Sequence, residues 1–302
     1  MVTLNQVSRH FSNQNIALRD VSFHIPDGEV VGIIGASGAG KTTLFKLICG
    51  LLLPTSGEVW VMEKDPLEQR NDIKRYISTL FVDSGILSQY DTVETNLEMV
   101  KNVFRRKDSS FWREAEELCE KFKIQGYRQT VVKELSCGIK RRVELICLFL
   151  QNAKIIMLDE PFIGLDAESK RVFEEEIEKR RKRKITILIA SHNVDEIERI
   201  CTRFLLMKKG SALFYGDKRR LLRKYAPVDV MKVGYRGGIP DLRDLPIQSY
   251  FIENQIISIL YNTNKVTAAE IVQVLLGSIC IVELSVKKPS LDEVIAVSMG
   301  RK

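Results

Sequence analysis

Apolar residues fall into two rhythms along this chain of 302 residues. Residues 1–34 alternate apolar and polar positions, the period-two pattern of half-buried strands. Turn residues interrupt them at 12–15 and at Pro26-Asp27-Gly28. Within this stretch, residues 29–34 form a short, largely apolar, β-branched run that predicts a buried strand. A helix start follows at 42–48, and a further strand and turn at 54–61. Another strand is expected at 77–82. From 92 to 133 the spacing becomes helical, most clearly over 110–122, where charges are mixed. Apolar strands return at 155–158, 185–190 and 204–207. Helices intervene, so the central strands should pair largely in parallel.

A second pattern begins after Gly216-Asp217. A basic helix is expected at 218–225, then a break at Ala226-Pro227. Strands follow at 228–235 and 255–261, a helix at 265–276 and a strand at 279–286. Pro289-Ser290-Leu291-Asp292-Glu293 predicts a short last helix, with Ser290 as its cap and Glu293 completing a capping box. The fold expected is therefore α/β, with a small C-terminal α+β domain.

Composition narrows the class only a little. Hydrophobic residues at 45% and charged residues at 28% describe an ordinary globular protein. The net charge of +7 gives a mildly basic surface. Its densest run, residues 179–184, follows three glutamates and reads as a solvated helix C-terminus, where cations offset the helix dipole. Six cysteines form no C-x-x-C pair, which points to reduced cytosolic thiols. The first residues do not resemble a signal peptide. No apolar run approaches the roughly eighteen residues of a membrane helix.

Candidate chemistry changes the picture more. Gly35-Ala36-Ser37-Gly38-Ala39-Gly40-Lys41-Thr42-Thr43 fits the phosphate-binding loop G-x-x-x-x-G-K-[ST]. It lies between a predicted strand and a predicted helix, as that motif requires. The glycines let backbone N–H groups approach phosphates, and the helix N-terminus adds partial positive charge. Lys41 can reach the β- and γ-phosphates of a triphosphate, and the Thr42 hydroxyl can ligate Mg²⁺. The strand at 155–158 ends in Asp159-Glu160. Asp159 is placed to hold the Mg²⁺ shell, and Glu160 to orient or deprotonate an attacking water.

Upstream, Leu135-Ser136-Cys137-Gly138-Ile139 resembles the L-S-G-G-Q signature of ATP-binding cassette (ABC) proteins, with Cys137 and Ile139 replacing a glycine and a glutamine. The resemblance continues in order. Gly164-Leu165-Asp166 matches the D-loop, and His192 matches the switch histidine that contacts the γ-phosphate. Phe11 stands where the family stacks an aromatic on adenine. Asp83 stands where the family usually has a glutamine that meets Mg²⁺ and the permease; Gln89 lies six residues later.

This resemblance covers residues 1 to about 217 and implies a P-loop NTPase cassette. Its parts would be a largely parallel core sheet, an antiparallel β subdomain and a helical subdomain over about 84–150. Residues 218–302 would form an accessory α+β domain. The nucleotide site would comprise Phe11, Gly35 to Thr43, Ser136, Gly138 and Asp166. Lys41, Glu160 and His192 would carry catalysis, with Thr42, Asp159 and Asp83 around the metal. The cofactors implied are ATP and Mg²⁺.

The altered signature and the C-terminal appendage resemble separate ATPase subunits of exporters. Such a subunit would work as a homodimer or paired cassette with two ATP molecules between the copies. It would drive a separately encoded integral membrane permease from the cytoplasmic face, with no nucleic acid partner. The competing readings are a cytosolic ABC ATPase, a slow nucleotide-binding regulator and, outside the family, a P-loop small-molecule kinase.

Overall fold

The computed structural model describes residues 1–12, 15–82, 85–225, 228–238, 242, 245–287, 291 and 295. The expected turn at 12–15 falls partly outside them. Asp83, the break at Ala226-Pro227 and the capping box of Ser290 and Glu293 fall wholly outside. The chain divides into two compact units, Met1–Tyr215 and Gly216–Lys302.

The first unit opens with β1 (Val2–Ser12) and β2 (Asn15–Ile25), then β3 (Val30–Ile34), α1 (Lys41–Ile48), β4 (Ser56–Val61), the short α2 (Arg70–Ile73) and β5 (Ile77–Leu80). Three helices follow: α3 (Val93–Val103), α4 (Asp108–Lys121) and α5 (Cys137–Phe149). The order then alternates through β6 (Ile155–Asp159), α6 (Ala167–Lys182), β7 (Thr186–Ser191), α7 (Val194–Glu198), β8 (Arg203–Lys208) and β9 (Ser211–Asp217).

A six-stranded sheet, ordered β5-β6-β7-β3-β8-β9, forms the core. β5, β6, β7, β3 and β8 pair in parallel. Every residue of β3, β6 and β7 is buried. That explains their uninterrupted apolar runs, since a parallel strand covered on both faces has no polar side. β1 pairs antiparallel with β2 and β4 in a separate three-stranded sheet. Its alternating inward residues, among them Val2, Leu4 and Val7, join the same apolar core as Leu44, Phe45 and Ile48 of α1. The phosphate-loop helix is thereby clamped between two sheets.

Two expectations need correction. The strand at 77–82 stops at Leu80, and Val82 is half exposed. The basic run does close α6, but it is not wholly solvated. Arg180 is buried, pairs with Glu176, donates to the Phe149 carbonyl at 3.2 Å and lies 4.0 Å from the Phe149 ring centroid. Its guanidinium is satisfied inside the unit, so water is not required there.

The second unit contains α8 (Lys218–Tyr225), β10 (Val228–Gly237), β11 (Ile247–Glu253), β12 (Ile256–Asn262), α9 (Ala268–Leu276) and β13 (Ile279–Lys287). Its four strands form an antiparallel sheet ordered β11-β12-β10-β13. Alternate residues Met231, Val233, Ile257, Ile259 and Tyr261 pack with Ile271 and Leu275 of α9. Thr267 and Glu270 cap α9 reciprocally in a capping box, fixing where the helix starts. β11 was not legible in the pattern: only its first residue is even half-buried, so no apolar face marks it.

Candidate active site

The parallel strands deliver their C-terminal ends to one edge of the core sheet, and the chemistry gathers there. β3 leads into the loop Gly35–Gly40, and α1 begins at Lys41. Gly40 has φ 101°, and a Cβ on it would approach the Ala17 carbonyl to 2.5 Å, so only glycine fits. No side chain caps α1, and its first turn holds no acid. Its N-terminal amides and partial positive charge are left for an anion.

Lys41 is buried, and its Nζ donates to the Gly35 carbonyl at 2.6 Å. It also lies 3.7 Å from Glu160 Oε1. Thr42 Oγ1 donates to Asp159 Oδ2 at 2.5 Å, joining the helix start to the end of β6. Asp159 is buried at that strand end. A hydroxyl and a carboxylate form an all-oxygen donor pair, the ligand type that suits Mg²⁺ when phosphates supply further oxygens.

Glu160 follows with φ 48°, and its N–H donates to the Ala190 carbonyl of β7 at 2.9 Å. Its Oε2 faces His192 Nδ1 at 2.9 Å. His192, just past β7, is exposed. Lys41, Thr42, Asp159, Glu160 and His192 are thus linked in one chain of contacts. The arrangement presents cations and amides to phosphate, with a carboxylate beside them able to take a proton from water.

The signature residues sit apart from that chain. Ser136 caps α5, its Oγ accepting from the Ile139 N–H at 3.4 Å. Cys137 is exposed. Gly138 lies against the D-loop: a Cβ there would come within 2.9 Å of the Gly164 carbonyl. Asp166 caps α6 by accepting from the Ser169 N–H at 2.8 Å. The Ser169 hydroxyl and amide hold its carboxyl below the usual range. Arg142 also donates to it at 2.7 Å. Among the described residues, no hydrogen bond or ion pair joins Ser136, Gly138 or Asp166 to the phosphate loop.

Phe11 is half exposed near the end of β1, with the Arg9 guanidinium 4.8 Å from its ring centroid. Asp83 lies outside the described residues. Gln89 accepts from Lys140 of α5 at 2.9 Å. Sequence reasoning passed over Arg141 and Glu144, both buried on α5 and paired at 3.1 Å. Their signal was two opposite charges three residues apart within an apolar helix.

The ABC transporter family model matches residues 18–163. The ABC transporter ATP-binding protein NatA of Bacillus subtilis is 33% identical over 221 residues, covering 72% of this chain and 89% of NatA. The Nod factor export ATP-binding protein I of Burkholderia thailandensis is 28% identical over 238 residues, covering 77% of this chain and 76% of that protein. Two solved structures share the fold. One is an ATP-binding subunit of an ABC transporter, with TM-score 0.70 and 24% identity over 74% of this chain and 93% of that chain. The other is a dimeric ATP-binding cassette in a post-hydrolysis state bound to ADP and Pi, with TM-score 0.64 and 23% identity over 72% of this chain and 98% of that chain.

Proposed function

The chain belongs to the ATP-binding ATPases of ABC transporters, and on that premise we propose that it is the motor subunit of an exporter. Two copies, or this chain and a paired cassette, close head to tail over two ATP molecules. Opening after hydrolysis drives a separate integral membrane permease from the cytoplasmic face. Among the described residues no helix is long and apolar enough to cross a membrane. The permease would therefore supply the membrane path. The export assignment leans on the relative named for Nod factor export.

One observation carries the sandwich. The start of α5 offers a capped, exposed helix N-terminus at Ser136 that finds no anionic partner among the described residues. In this reading that surface meets the γ-phosphate held by the partner's Lys41. Within one copy, backbone amides of residues 35–43 and Lys41 bind the phosphates, and Phe11 stacks on adenine. Thr42 and Asp159 hold Mg²⁺, which neutralises charge on the phosphates when bound. Glu160 takes the water proton, and His192 keeps the carboxylate oriented toward the γ-phosphate. Asp166 and Gly138 shape the seam between the copies. Asp83 would, by the family resemblance, be a further oxygen ligand, and its replacement by glutamine should change the Mg²⁺ dependence of ATP binding.

The test is ATP-dependent dimerisation. With ATP and Mg²⁺, Glu160→Gln should elute as a dimer, and the double variant Glu160→Gln, Ser136→Arg as a monomer that still binds ATP. A monomer in both cases, with native turnover undiminished by Ser136→Arg, would overturn the sandwich. Co-purification of the native chain with a membrane protein encoded beside it tests the permease.

A further inference from the structure

Glu160 has been given a role, but its position also has to be held. Its φ of 48° is left-handed, a region that side-chain-bearing residues seldom adopt. Three hydrogen bonds hold its backbone there. The N–H is tied to Ala190, and the carbonyl accepts from Arg141 Nη2 at 2.7 Å and, at a longer 3.4 Å, from the Ile163 N–H. The same nitrogen lies 3.5 Å from the Asp159 carbonyl. Arg141 therefore grips both peptides of the acidic strand end from the helix that starts at Ser136.

The guanidinium is itself held. Nη1 donates to Glu144 Oε2 at 3.1 Å, both residues are buried, and among the described residues Arg141 Nε has no hydrogen-bond partner. Burial raises the pKa of the Glu144 carboxyl, and the adjacent arginine only partly offsets this. A buried ion pair with an orphaned donor is poor value as a stability device. Its neighbours connect it onward. Lys140 donates to Gln89 at 2.9 Å. Glu144 Oε1 flanks Gly85, 3.5 Å from where a Cβ would stand. Segment 85–89, the signature helix and the Glu160 peptide thus meet around one arginine.

We propose that Arg141 is a positioning residue that couples the signature end of α5 to the Glu160 of its own chain. This rests on the sandwich reading. In the closed pair, Ser136 of one copy contacts the γ-phosphate bound to the other. A shift of α5 on that contact moves Arg141, which sets the Glu160 peptide at the copy's own site. ATP at one site thereby orients the carboxylate at the other. Glu144 keeps the guanidinium turned toward the strand end.

Steady-state hydrolysis by the full chain tests this with Arg141→Gln, Arg141→Lys and Glu144→Gln. Thermal midpoints and amide exchange over residues 159–162 are measured alongside. Arg141→Gln should lower kcat about tenfold or more with KM within about threefold, the split expected when a catalytic group is misplaced. The Hill coefficient should fall toward one, and exchange over 159–162 should rise. Arg141→Lys, which can still donate to the Glu160 carbonyl, should recover part of kcat. Glu144→Gln should fall between the native chain and Arg141→Gln.

Native kcat and unchanged exchange in a folded Arg141→Gln would overturn the proposal. Equal losses in kcat and affinity with no rescue by lysine would reduce Arg141 to a structural residue. If Arg141→Gln does not fold, Arg141→Lys carries the same readouts, and native values for all of them reject the role. A native chain that hydrolyses ATP as a monomer would sink the sandwich alone. The exchange and kcat readings would still decide whether Arg141 holds Glu160.

Discussion

The phosphate loop and the start of α5 are both helix N-termini ready for an anion, yet their surroundings differ sharply. Around α1, Lys41, Thr42, Asp159, Glu160 and His192 already touch one another. Around α5, Ser136 bonds, among the described residues, only within its own helix, and Cys137 faces solvent. The contrast has a topological cause. β3, β6 and β7 are parallel neighbours, so their ends bring loop, acids and histidine to one edge. The signature starts a helix from the segment between β5 and β6 and has no strand end to complete it. One side is preassembled within the chain; the other, in the function proposed, is assembled by a second copy.

The largest effect should come from within the preassembled side. Glu160→Gln is expected to lower turnover about a hundredfold to ten-thousandfold, the range for losing a general base. ATP affinity should remain within a few fold, read by phosphate release and by equilibrium binding on the same preparation. Comparable losses in both would mean that Glu160 serves binding, not chemistry.

Lys41→Ala should come next. Removing charge-assisted bonds to phosphate, worth about 1.5–3 kcal/mol, should weaken ATP binding to the isolated chain about ten- to a hundredfold. Titration calorimetry under monomeric conditions reads it directly. Ser136→Ala marks the other side of the comparison. It should leave that monomeric affinity alone, lower turnover severalfold, and cost α5 about 1 kcal/mol through the lost cap. If Ser136→Ala weakens monomeric binding as much as Lys41→Ala, the division between the two sides is wrong.

The smallest effect on function should come from Glu176, away from either helix start. Burial pushes its carboxyl up, but hydrogen bonds from Arg180 and Lys121 outweigh this, leaving it below the ordinary 4.5. Its folded pKa is thus below its unfolded one. The pair's contribution is present above about pH 4.5 and lost as pH falls through the folded value. Glu176→Gln should flatten the fall in unfolding midpoint under acid and leave ATP turnover at neutral pH unchanged per folded molecule. A change in kcat there would tie the α4–α6 network to the site.

Much of the site was legible because its motifs are local. Gly40 is required for reasons of φ and contact, the Thr42 hydroxyl reaches Asp159, and Asp159 ends a buried strand with Glu160 directly after it. Each leaves a letter at a fixed spacing. The core strands were legible for a related reason: burial on both faces leaves β3 and the interiors of β6 and β7 apolar, with polar residues only at the ends of β6 and β7. β11 escaped because it is an edge strand with little buried on either face. Arg180 escaped because a cation run looks the same whether a member is solvated or folded over an aromatic ring and a glutamate.

By itself, then, the sequence determined the phosphate loop, its acids, its histidine and the largely parallel pairing of the core strands, since each follows from short-range sterics or from burial of contiguous residues. Only the tertiary structure decided that Arg141 of the signature helix reaches the Glu160 carbonyl, nineteen residues away in the chain. It also decided that Glu160 adopts its left-handed backbone and that Thr42 closes on Asp159. Those contacts join elements distant in sequence. Their partners are selected by packing and desolvation across the whole unit, which no local pattern records.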